Sequence, residues 1–409
     1  MPESEECENL IQQWAQAITK AGVGDRFYVE GGGTKPALHG HRTHEAKTQA
    51  PLEEEPQGSE RNLIGISLKQ LTGVIEYQPS EFTITAYAGT PIAQINELLA
   101  QHGQYLPYDP PFFSMNETQG NAESPEFLAR HASAQRTTLG GSVASGINGP
   151  GRWRYGGLRD FILEVRFIDG SGTVRRGGRR VVKNAAGFDI PKLMVGSCGR
   201  LGVLADVTLK VFPKPKDYLT LHFLSENLDV TLEILSTLGS GPWDIDAIET
   251  QLDGSILVRL AGEAEALAKH GSRIQTKLTK FCSSFLSGAE QQQVWAAQAD
   301  WLWGCPTHTL VKVPLTLRDI FELDEELSEL DVERIYGSCG NVAWLRWPTD
   351  PENSSSKIKR ISKVLKLQKL QGLVVQGPAQ SIIIGHLGLG LFYDRLSKVF
   401  DPHGRLGTF

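Results

Sequence analysis

The sequence predicts an α+β protein with two domains, and three observations lead to this fold class. The chain has 409 residues, which is more than one average domain holds. Segments with strand-type alternation are interspersed with segments of helical spacing along the whole chain. Glycine is concentrated, since 15 of the 43 glycines lie between Thr137 and Gly202. Such a density indicates backbone that closely approaches another group or takes positive φ.

Composition excludes several classes of protein. The 40% hydrophobic and 22% charged residues are typical of a globular chain and exclude disorder and coiled coil. A net charge of −6 with a pI near 6.0 argues against a nucleic-acid binder. The cysteines are odd in number and at least 23 residues apart, so no disulfide framework, metal site or iron–sulfur cluster of the usual spacing is expected. They are Cys7, Cys198, Cys282, Cys305 and Cys339.

The first half of the chain shows alternating helix and strand signals that end in the glycine-rich region. Residues 8–22 have helical spacing and stop at Gly22, and Pro91 and Gly103 bound a second short helix. A turn at residues 169–172 predicts a hairpin. Residues 36–61 are predicted as a loop and 112–136 as an insertion or lid. Strands are predicted in the runs RFYVE, NLIGISL and EFTITAYAGT and at 161–168 and 203–211.

The pattern of the sequence changes at Pro213 and Pro215, so the predicted domains are 1–215 and 216–409. Beyond them, β-rich runs alternate with helical stretches, which predicts an antiparallel sheet backed by helices. No internal repeat is apparent. Residues 373–393 carry no charge but contain glycines and Pro378, which favours two short strands around a Gly-Pro turn over a membrane span. The acidic N-terminus lacks a secretory signal, so we expect a cytoplasmic protein that reaches a membrane only through a partner.

Two short segments have the residue types of an anion or cofactor site. In GGGTK, three glycines allow backbone N–H groups to face an anion, while Thr34 and Lys35 add a hydroxyl and a charge. The spacing is neither that of a P-loop nor G-x-G-x-x-G, and a tight bend after a strand explains it equally well. TTLGGSVASG, at 137–146, is uncharged and small. It suits either a flat ring or pyrophosphate against main chain, or a packed Gly-Ala turn.

Together with LPYDPP, GPGRWRYGGLRD, VVKNAAGFDIPKL and GSCGRLGV, these segments resemble the FAD-linked oxidases of the vanillyl-alcohol-oxidase or PCMH superfamily. They are most similar to the FAD-binding subunits of glycolate oxidase (glycolate dehydrogenase). The resemblance is specific over Phe27–Pro215 and fainter beyond. It implies a PCMH-type, two-subdomain FAD-binding domain over 1–215 and a smaller α+β cap with an antiparallel sheet over 216–409. It also implies that FAD is held noncovalently, although His39 lies on the loop where a covalent bond is conceivable.

The resemblance also implies which residues hold FAD. The first group would form a pyrophosphate loop, and the second would cover the pyrophosphate and approach the ring. The third would fix the ribityl, phosphate or loop geometry, and the last would close the adenine and isoalloxazine side. In that order they are Gly31, Gly32, Gly33, Thr34 and Lys35; Pro110, Thr137, Thr138, Leu139, Gly140, Gly141, Ser142, Ser145, Gly146 and Gly149; Arg152, Tyr155, Gly156, Arg159 and Asp160; and Lys183, Asn184, Gly187, Leu201, Gly202 and Val203. Asp160 with Arg159 and Asp189 with Lys192 are alternatively structural ion pairs.

The implied function is that of an FAD-binding subunit in a complex that oxidises glycolate to glyoxylate. A larger FAD-containing catalytic subunit and an iron–sulfur subunit are the implied partners. Two alternatives stay open: a self-sufficient oxidoreductase of another small 2-hydroxy acid such as D-lactate, and a non-catalytic FAD-binding assembly subunit.

The cap leaves the catalytic residues unassigned. GHLGLGLFY, at 385–393, is similar to a degenerate G-H-x-G-D-G-N-x-H run and is here called the worn motif. The C-terminal run DPHGRL lacks the asparagine of related tails. A lone histidine, His386, does not make a metal site. Candidates on predicted strands are Arg259, His308, Lys312 and Arg346.

Overall fold

The computed structural model describes residues 2–39, 62–108, 137–178, 188–303, 307–350, 354–378, 381–388 and 390–406. The insertion predicted at 112–136 and most of the loop predicted at 36–61 lie outside this part of the chain.

In the described residues of the N-terminal region, nine strands form three sheets. They are β1 (Arg26–Glu30), β2 (Leu63–Ser67), β3 (Val74–Gln78), β4 (Thr83–Tyr87), β5 (Gln104–Tyr105), β6 (Ile162–Ile168), β7 (Val174–Gly178), β8 (Val203–Lys210) and β9 (Phe212–Pro213). β1 pairs in parallel with β2, whereas the largest sheet is antiparallel in the order β3-β4-β8-β6-β7, and β5 pairs with β9. Helices α1 to α6 are Pro2–Lys20, Ile92–Ala100, Leu139–Ser145, Arg152–Tyr155, Leu158–Phe161 and Ile190–Met194.

β8 lies at the centre of the five-stranded sheet, and seven of its eight residues are buried. A central strand is covered on both faces, so β8 is buried along its length, and two polar residues, Asp206 and Thr208, are buried with its apolar ones. The predicted hairpin is present between β6 and β7. Its turn is closed by the Asp169 carboxylate, which accepts hydrogen bonds from the backbone of Ser171 and Thr173 at 2.9 and 3.0 Å.

The cap contains two further antiparallel sheets. The first half comprises β10 (Asp217–Phe223), α7 (Leu228–Ser240), β11 (Ala247–Thr250), β12 (Ile256–Gly262), α8 (Ala264–Lys277) and β13 (Ser283–Leu286). The second half comprises β14 (His308–Pro314), α10 (Leu317–Ser328), β15 (Glu333–Gly337), β16 (Val342–Pro348), α11 (Ser354–Leu367), β17 (Gln371–Gln376) and β18 (Ile383–Gly385). α9 (Gly288–Trp303) joins the halves, and α12 (Gly390–Phe400) follows them.

The two halves of the cap have the same topology, a repeat that the sequence analysis did not detect. Their strand orders are β11-β12-β10-β13 and β15-β16-β14-β17, with β18 added at one edge of the second. Each half is a β-α-β-β-α-β unit of the ferredoxin-like type. The antiparallel pairing of β17 with β18 gives the two short strands predicted around the Gly-Pro turn.

After the cap, the chain returns to the N-terminal region. Phe400 and Leu406 are buried in the same hydrophobic cluster as the apolar residues of β8. The backbone N–H of Phe27 donates to the Arg405 carbonyl at 2.7 Å. The Arg405 guanidinium in turn donates to the carbonyls of Ile18 and Ala21, at 2.6 and 2.9 Å. The boundary at 215 stays a prediction, and the C-terminal segment completes the N-terminal core. In the part of the chain described, no helix has the length and apolar character to cross a membrane.

Candidate functional site

The GGGTK segment follows β1 directly and lies against the start of α3. A Cβ on Gly31 would come within 2.5 Å of the Thr138 hydroxyl, so no side chain fits there. Thr138 caps α3, because its hydroxyl accepts a hydrogen bond from the backbone N–H of Gly141 at 3.1 Å. Gly33 has φ of +68°, a conformation that residues with a Cβ rarely take. The loop is therefore built to place bare backbone beside α3.

This loop forms one wall of a cleft lobe of about 650 Å³, here called the first lobe. Its other walls are glycines of α3 and of the loop before β8, and small or apolar side chains. Two of these glycines also allow close packing behind the wall. A Cβ on Gly140 would lie 2.8 Å from that of Ala88, and one on Gly202 would lie 2.5 Å from the Phe167 ring. The additional lining residues are Val29, Leu38, Leu68, Ala144, Cys198, Gly199 and Leu204.

Lys35 gives the first lobe its charge. Burial lowers the pKa of Lys35 to about 8, which leaves the amine protonated at pH 7. Its Nζ is 3.4 Å from the Thr34 hydroxyl, and no carboxylate among the described residues pairs with it. An enclosed ammonium without an acidic partner fits an anionic ligand group, because burying an uncompensated charge is costly.

Ser145 and Cys198 also border a second cavity of about 950 Å³, here called the second lobe. This lobe lies between the N-terminal region and the second half of the cap. The N-terminal region contributes Arg152, Arg159 and Asp160, and the cap contributes Lys312 and Tyr393. The two lobes thus form one cleft that runs from the glycine loop to the cap.

The structure places 14 of the 26 predicted cofactor residues on the cleft wall. These are Gly31, Gly32, Gly33, Thr34, Lys35, Thr138, Gly140, Gly141, Ser145, Gly146, Arg152, Arg159, Asp160 and Gly202. Another four lie outside the described residues: Pro110, Lys183, Asn184 and Gly187. The side chain of His39 is not described either, so the noncovalent assignment stays a prediction.

The remaining eight predicted residues line neither lobe. Leu139, Leu201 and Val203 are buried in the core, and the Gly149 N–H donates to the Tyr108 carbonyl at 3.1 Å. The Tyr155 ring packs edge-on against Phe212. The others in this group are Thr137, Ser142 and Gly156.

The two residue pairs that were alternatively interpreted as structural ion pairs differ in the structure. Asp189 and Lys192 form an ion pair of 3.1 Å on the surface. Asp160 instead accepts a hydrogen bond from the backbone N–H of Gly157 at 2.8 Å, at the start of α5.

The residues before β8 are the part of the cleft that sequence reasoning missed. Cys198 lies on both lobes, and Arg200 behind it is buried and donates to the carbonyls of Leu38 and Cys198 at 3.4 and 3.3 Å. GSCGRLGV was noted as a motif, but only its last residues were assigned a role. Positive φ at Gly196 and Gly199 fits the glycine density of this region, whereas the sequence gives no direct sign of positive φ at Cys198.

Of the four cap candidates, Lys312 alone is on the cleft wall. Arg259 and Arg346 are held by carboxylates of their own sheets, Asp246 and Glu333, at 2.5 and 2.6 Å. In the worn motif, His386 is exposed, whereas Tyr393 lines the second lobe.

Comparisons with known proteins show which proteins the chain is similar to. Residues 54–116 and 123–178 match the family described as FAD binding domain. The chain is 40% identical over 150 residues to glycolate oxidase subunit GlcE of Escherichia coli strain K12, which is 37% of each chain. It is 25% identical over 193 residues to glycolate oxidase subunit GlcD of Bacillus subtilis strain 168, covering 45% of this chain and 37% of that one. It is also 26% identical over 184 residues to a D-lactate dehydrogenase of Anaerostipes hadrus, covering 42% and 34%.

These matches span under two fifths of the length of the curated relatives. Across nearly the whole chain, the fold is similar to a solved structure of alkyldihydroxyacetonephosphate synthase. The TM-score is 0.64 at 15% identity, over 98% of this chain and 74% of that one. This likeness confirms the fold class predicted from the sequence, including the cap.

Proposed function

Since the chain contains an FAD-binding domain of the PCMH type, we propose that it holds FAD noncovalently in the two-lobed cleft and serves in oxidising a small 2-hydroxy acid. Glycolate, oxidised to glyoxylate, is the substrate that the glycolate oxidase relatives favour. The observation that carries the proposal is the first lobe, where a glycine loop lies beside Lys35, a buried cation that has no acidic partner among the described residues.

The residues of the first lobe fit an extended dinucleotide. Lys35 would neutralise pyrophosphate charge, and the glycine loop would let main chain approach it. Gly199, with φ of +77°, adds a further position without a side chain to the lining. The apolar residues Val29, Leu68 and Leu204 would cover aromatic surface. Bound FAD would supply the acceptor for the hydride of the substrate α-carbon.

Oxidation by this chain requires an onward route for electrons. The five cysteines lack cluster spacing, so the proposal assigns iron–sulfur chemistry to a partner subunit. Two relatives are named as subunits of glycolate oxidase, which supports a multi-subunit complex. The proposal includes a larger FAD-containing subunit in that complex. The match to a D-lactate dehydrogenase supports the alternative of a self-sufficient enzyme for another 2-hydroxy acid.

A non-catalytic assembly subunit is the second candidate function. The observation in its favour is the worn motif, whose remaining histidine, His386, is exposed and does not line the cleft. Against it, the second lobe has a charged lining on both sides.

The first experiment is to purify the chain alone, add FAD and record the spectrum. We expect the chain to bind FAD and to show the absorption of an oxidised flavin. A chain that binds no FAD contradicts the proposal. Anaerobic addition of glycolate or D-lactate, with the chain alone and with co-expressed partners, then separates the three functions. Bleaching by the chain alone indicates self-sufficiency, bleaching only with partners indicates a subunit, and none in either case indicates assembly.

A bulky side chain in the first lobe should block FAD. Gly141→Leu adds its side chain at the wall formed by α3, where the nearest atom to a Cβ is the Thr138 hydroxyl at 3.0 Å. We expect the FAD dissociation constant to rise at least about tenfold, measured by equilibrium ultrafiltration. Ala17→Leu, on an exposed position of α1, is the matched control and should leave it unchanged. Equal FAD affinity in both variants would place the cofactor elsewhere.

A further inference from the structure

Lys312 is a cation that the cap presents to the second lobe. It lies in the middle of β14, where Val311 and Val313 point into the core formed with α10 and α11. Because side chains alternate along a strand, Lys312 occupies the opposite face, together with Leu310. That face packs against Ile147 of the N-terminal region. The lysine therefore projects from a rigid central strand toward the cleft.

The contacts of Lys312 within the described part of the chain leave its charge uncompensated. Its Nζ donates to the Gly146 carbonyl at 3.2 Å, and no carboxylate within the described ranges pairs with it. Burial, with the positive charge of Arg152 nearby, lowers the pKa of Lys312 to about 8. The carboxylate of the same lobe, Asp160, accepts the Gly157 N–H instead. A buried lysine at this position of β14 lowers the stability of the protein, and an anionic ligand would offset that loss.

The other cations of the cap sheets do not share this property. Arg259 is paired with Asp246 and stacked on Trp295, and Arg346 is paired with Glu333 and stacked on Trp301. Both arginines are thus neutralised within the cap. Lys312 differs from these two arginines because it faces Arg152 across the cleft instead of an acidic side chain.

We propose that Lys312 is the anchor for the substrate carboxylate, with Arg152 as the second cation on the facing wall. The proposal rests on the proposed function and names its substrate class, a small organic carboxylate that enters the second lobe. The ammonium donates to a carboxylate oxygen, and its bond to the Gly146 carbonyl fixes where that oxygen lies. Lys312 is thereby assigned a role apart from Lys35, which serves the first lobe.

The test measures anion binding and FAD binding separately. The probe is oxalate, a two-carbon dicarboxylate without a hydroxyl group to oxidise, titrated calorimetrically into the FAD-loaded chain. We expect Lys312→Met to raise the oxalate dissociation constant at least about tenfold and Lys312→Arg to restore part of the affinity. Lys363→Met removes an exposed lysine of α11 in the same half of the cap and should change neither constant. FAD affinity should stay within about twofold in all three variants.

Unchanged oxalate affinity in Lys312→Met overturns the proposal. So does a parallel loss of FAD affinity, because the lysine would then contact the cofactor. Wild-type chain that binds FAD but no oxalate overturns it as well, while leaving the proposed function intact. If the chain binds no FAD, the proposed function fails, and the same titration on the apo chain still decides the role of Lys312. If Lys312→Met does not fold, Lys312→Gln takes its place, and thermal melting identifies that case.

Discussion

The two halves of the cap have one topology, yet they differ in what they do for the rest of the molecule. In each, an arginine of the third strand pairs with a carboxylate at the edge strand and stacks on a tryptophan of α9. Arg259, Asp246 and Trp295 do so in the first half, and Arg346, Glu333 and Trp301 do so in the second. α9 thus makes equivalent contacts with two equivalent sheets.

The difference lies in the contacts with the N-terminal region. The first half is attached to it: Trp153 packs into its core, and Arg154 donates to Asp244 at 2.8 Å. The second half also packs against the N-terminal region, at Ile147, and in addition it lines the cleft with Lys312, Pro314 and Leu373. At the strand position equivalent to Lys312, the first half has His222, which pairs with Leu257 as Lys312 pairs with Trp344. Of the two halves, as far as the chain is described, the second is the one that presents a cation to the cleft.

The largest expected effect tests the paired arginines. Asp246 is almost fully buried, so Arg259→Leu leaves a buried charge without its partner and should lower the free energy of unfolding by about 3 kcal/mol. Glu333 is half exposed, so Arg346→Leu should cost only about 1 kcal/mol. Urea unfolding of the two variants measures both. Equal losses would show that the two halves carry equal shares of the stability of the cap.

An intermediate effect tests the attachment of the first half. Trp153→Ala removes a side chain packed into that half, close to Gly239, and should cost about 2 kcal/mol in the free energy of unfolding. It should also weaken oxalate binding, because the cap is then held less firmly over the second lobe. The readouts are urea unfolding and calorimetric titration. Full oxalate affinity in this variant would mean that the second half positions itself without the first.

The smallest expected effect is a pH dependence confined to the second half. Below pH 8 Lys312 is protonated and attracts an anion, and above it the amine loses its charge. The oxalate dissociation constant should therefore be about tenfold higher at pH 9 than at pH 7. Lys312→Arg should give a flat profile over this range, and a flat profile in the wild type would contradict the prediction. The other titratable or charged groups facing Lys312 are Arg152, Arg159, Asp160, Cys198 and Tyr393.

Local signals in the sequence were sufficient for much of the fold and the first lobe. The strand preceding Gly31–Lys35 and the uncharged run at 137–146 placed two walls of the cleft, although the second forms a short helix, α3. The uncharged stretch after Gly372 was predicted as two strands because of its Gly-Pro turn, and the structure has β17 and β18 there.

The sequence did not predict the features that depend on contacts between distant parts of the chain. α9 was not predicted, because it lies between two sheets and is held by polar contacts such as Gln298 with the Thr250 carbonyl, without a clear apolar stripe. The two halves of the cap share strand order and register, but equivalent positions hold different residues, such as His222 and Lys312. Choosing Lys312 among four candidates required knowing which cations already have a carboxylate partner.

The contact of Arg405 with Ile18 joins positions 387 residues apart in sequence. The hydrophobic core of the first domain is thus completed by Phe400 and Leu406, after the whole cap has intervened. Closing so long a loop is entropically unfavourable, and contacts of high sequence separation form slowly. The N-terminal core should accordingly reach its native packing only after the cap has been synthesised, although most of its residues precede the cap in the sequence.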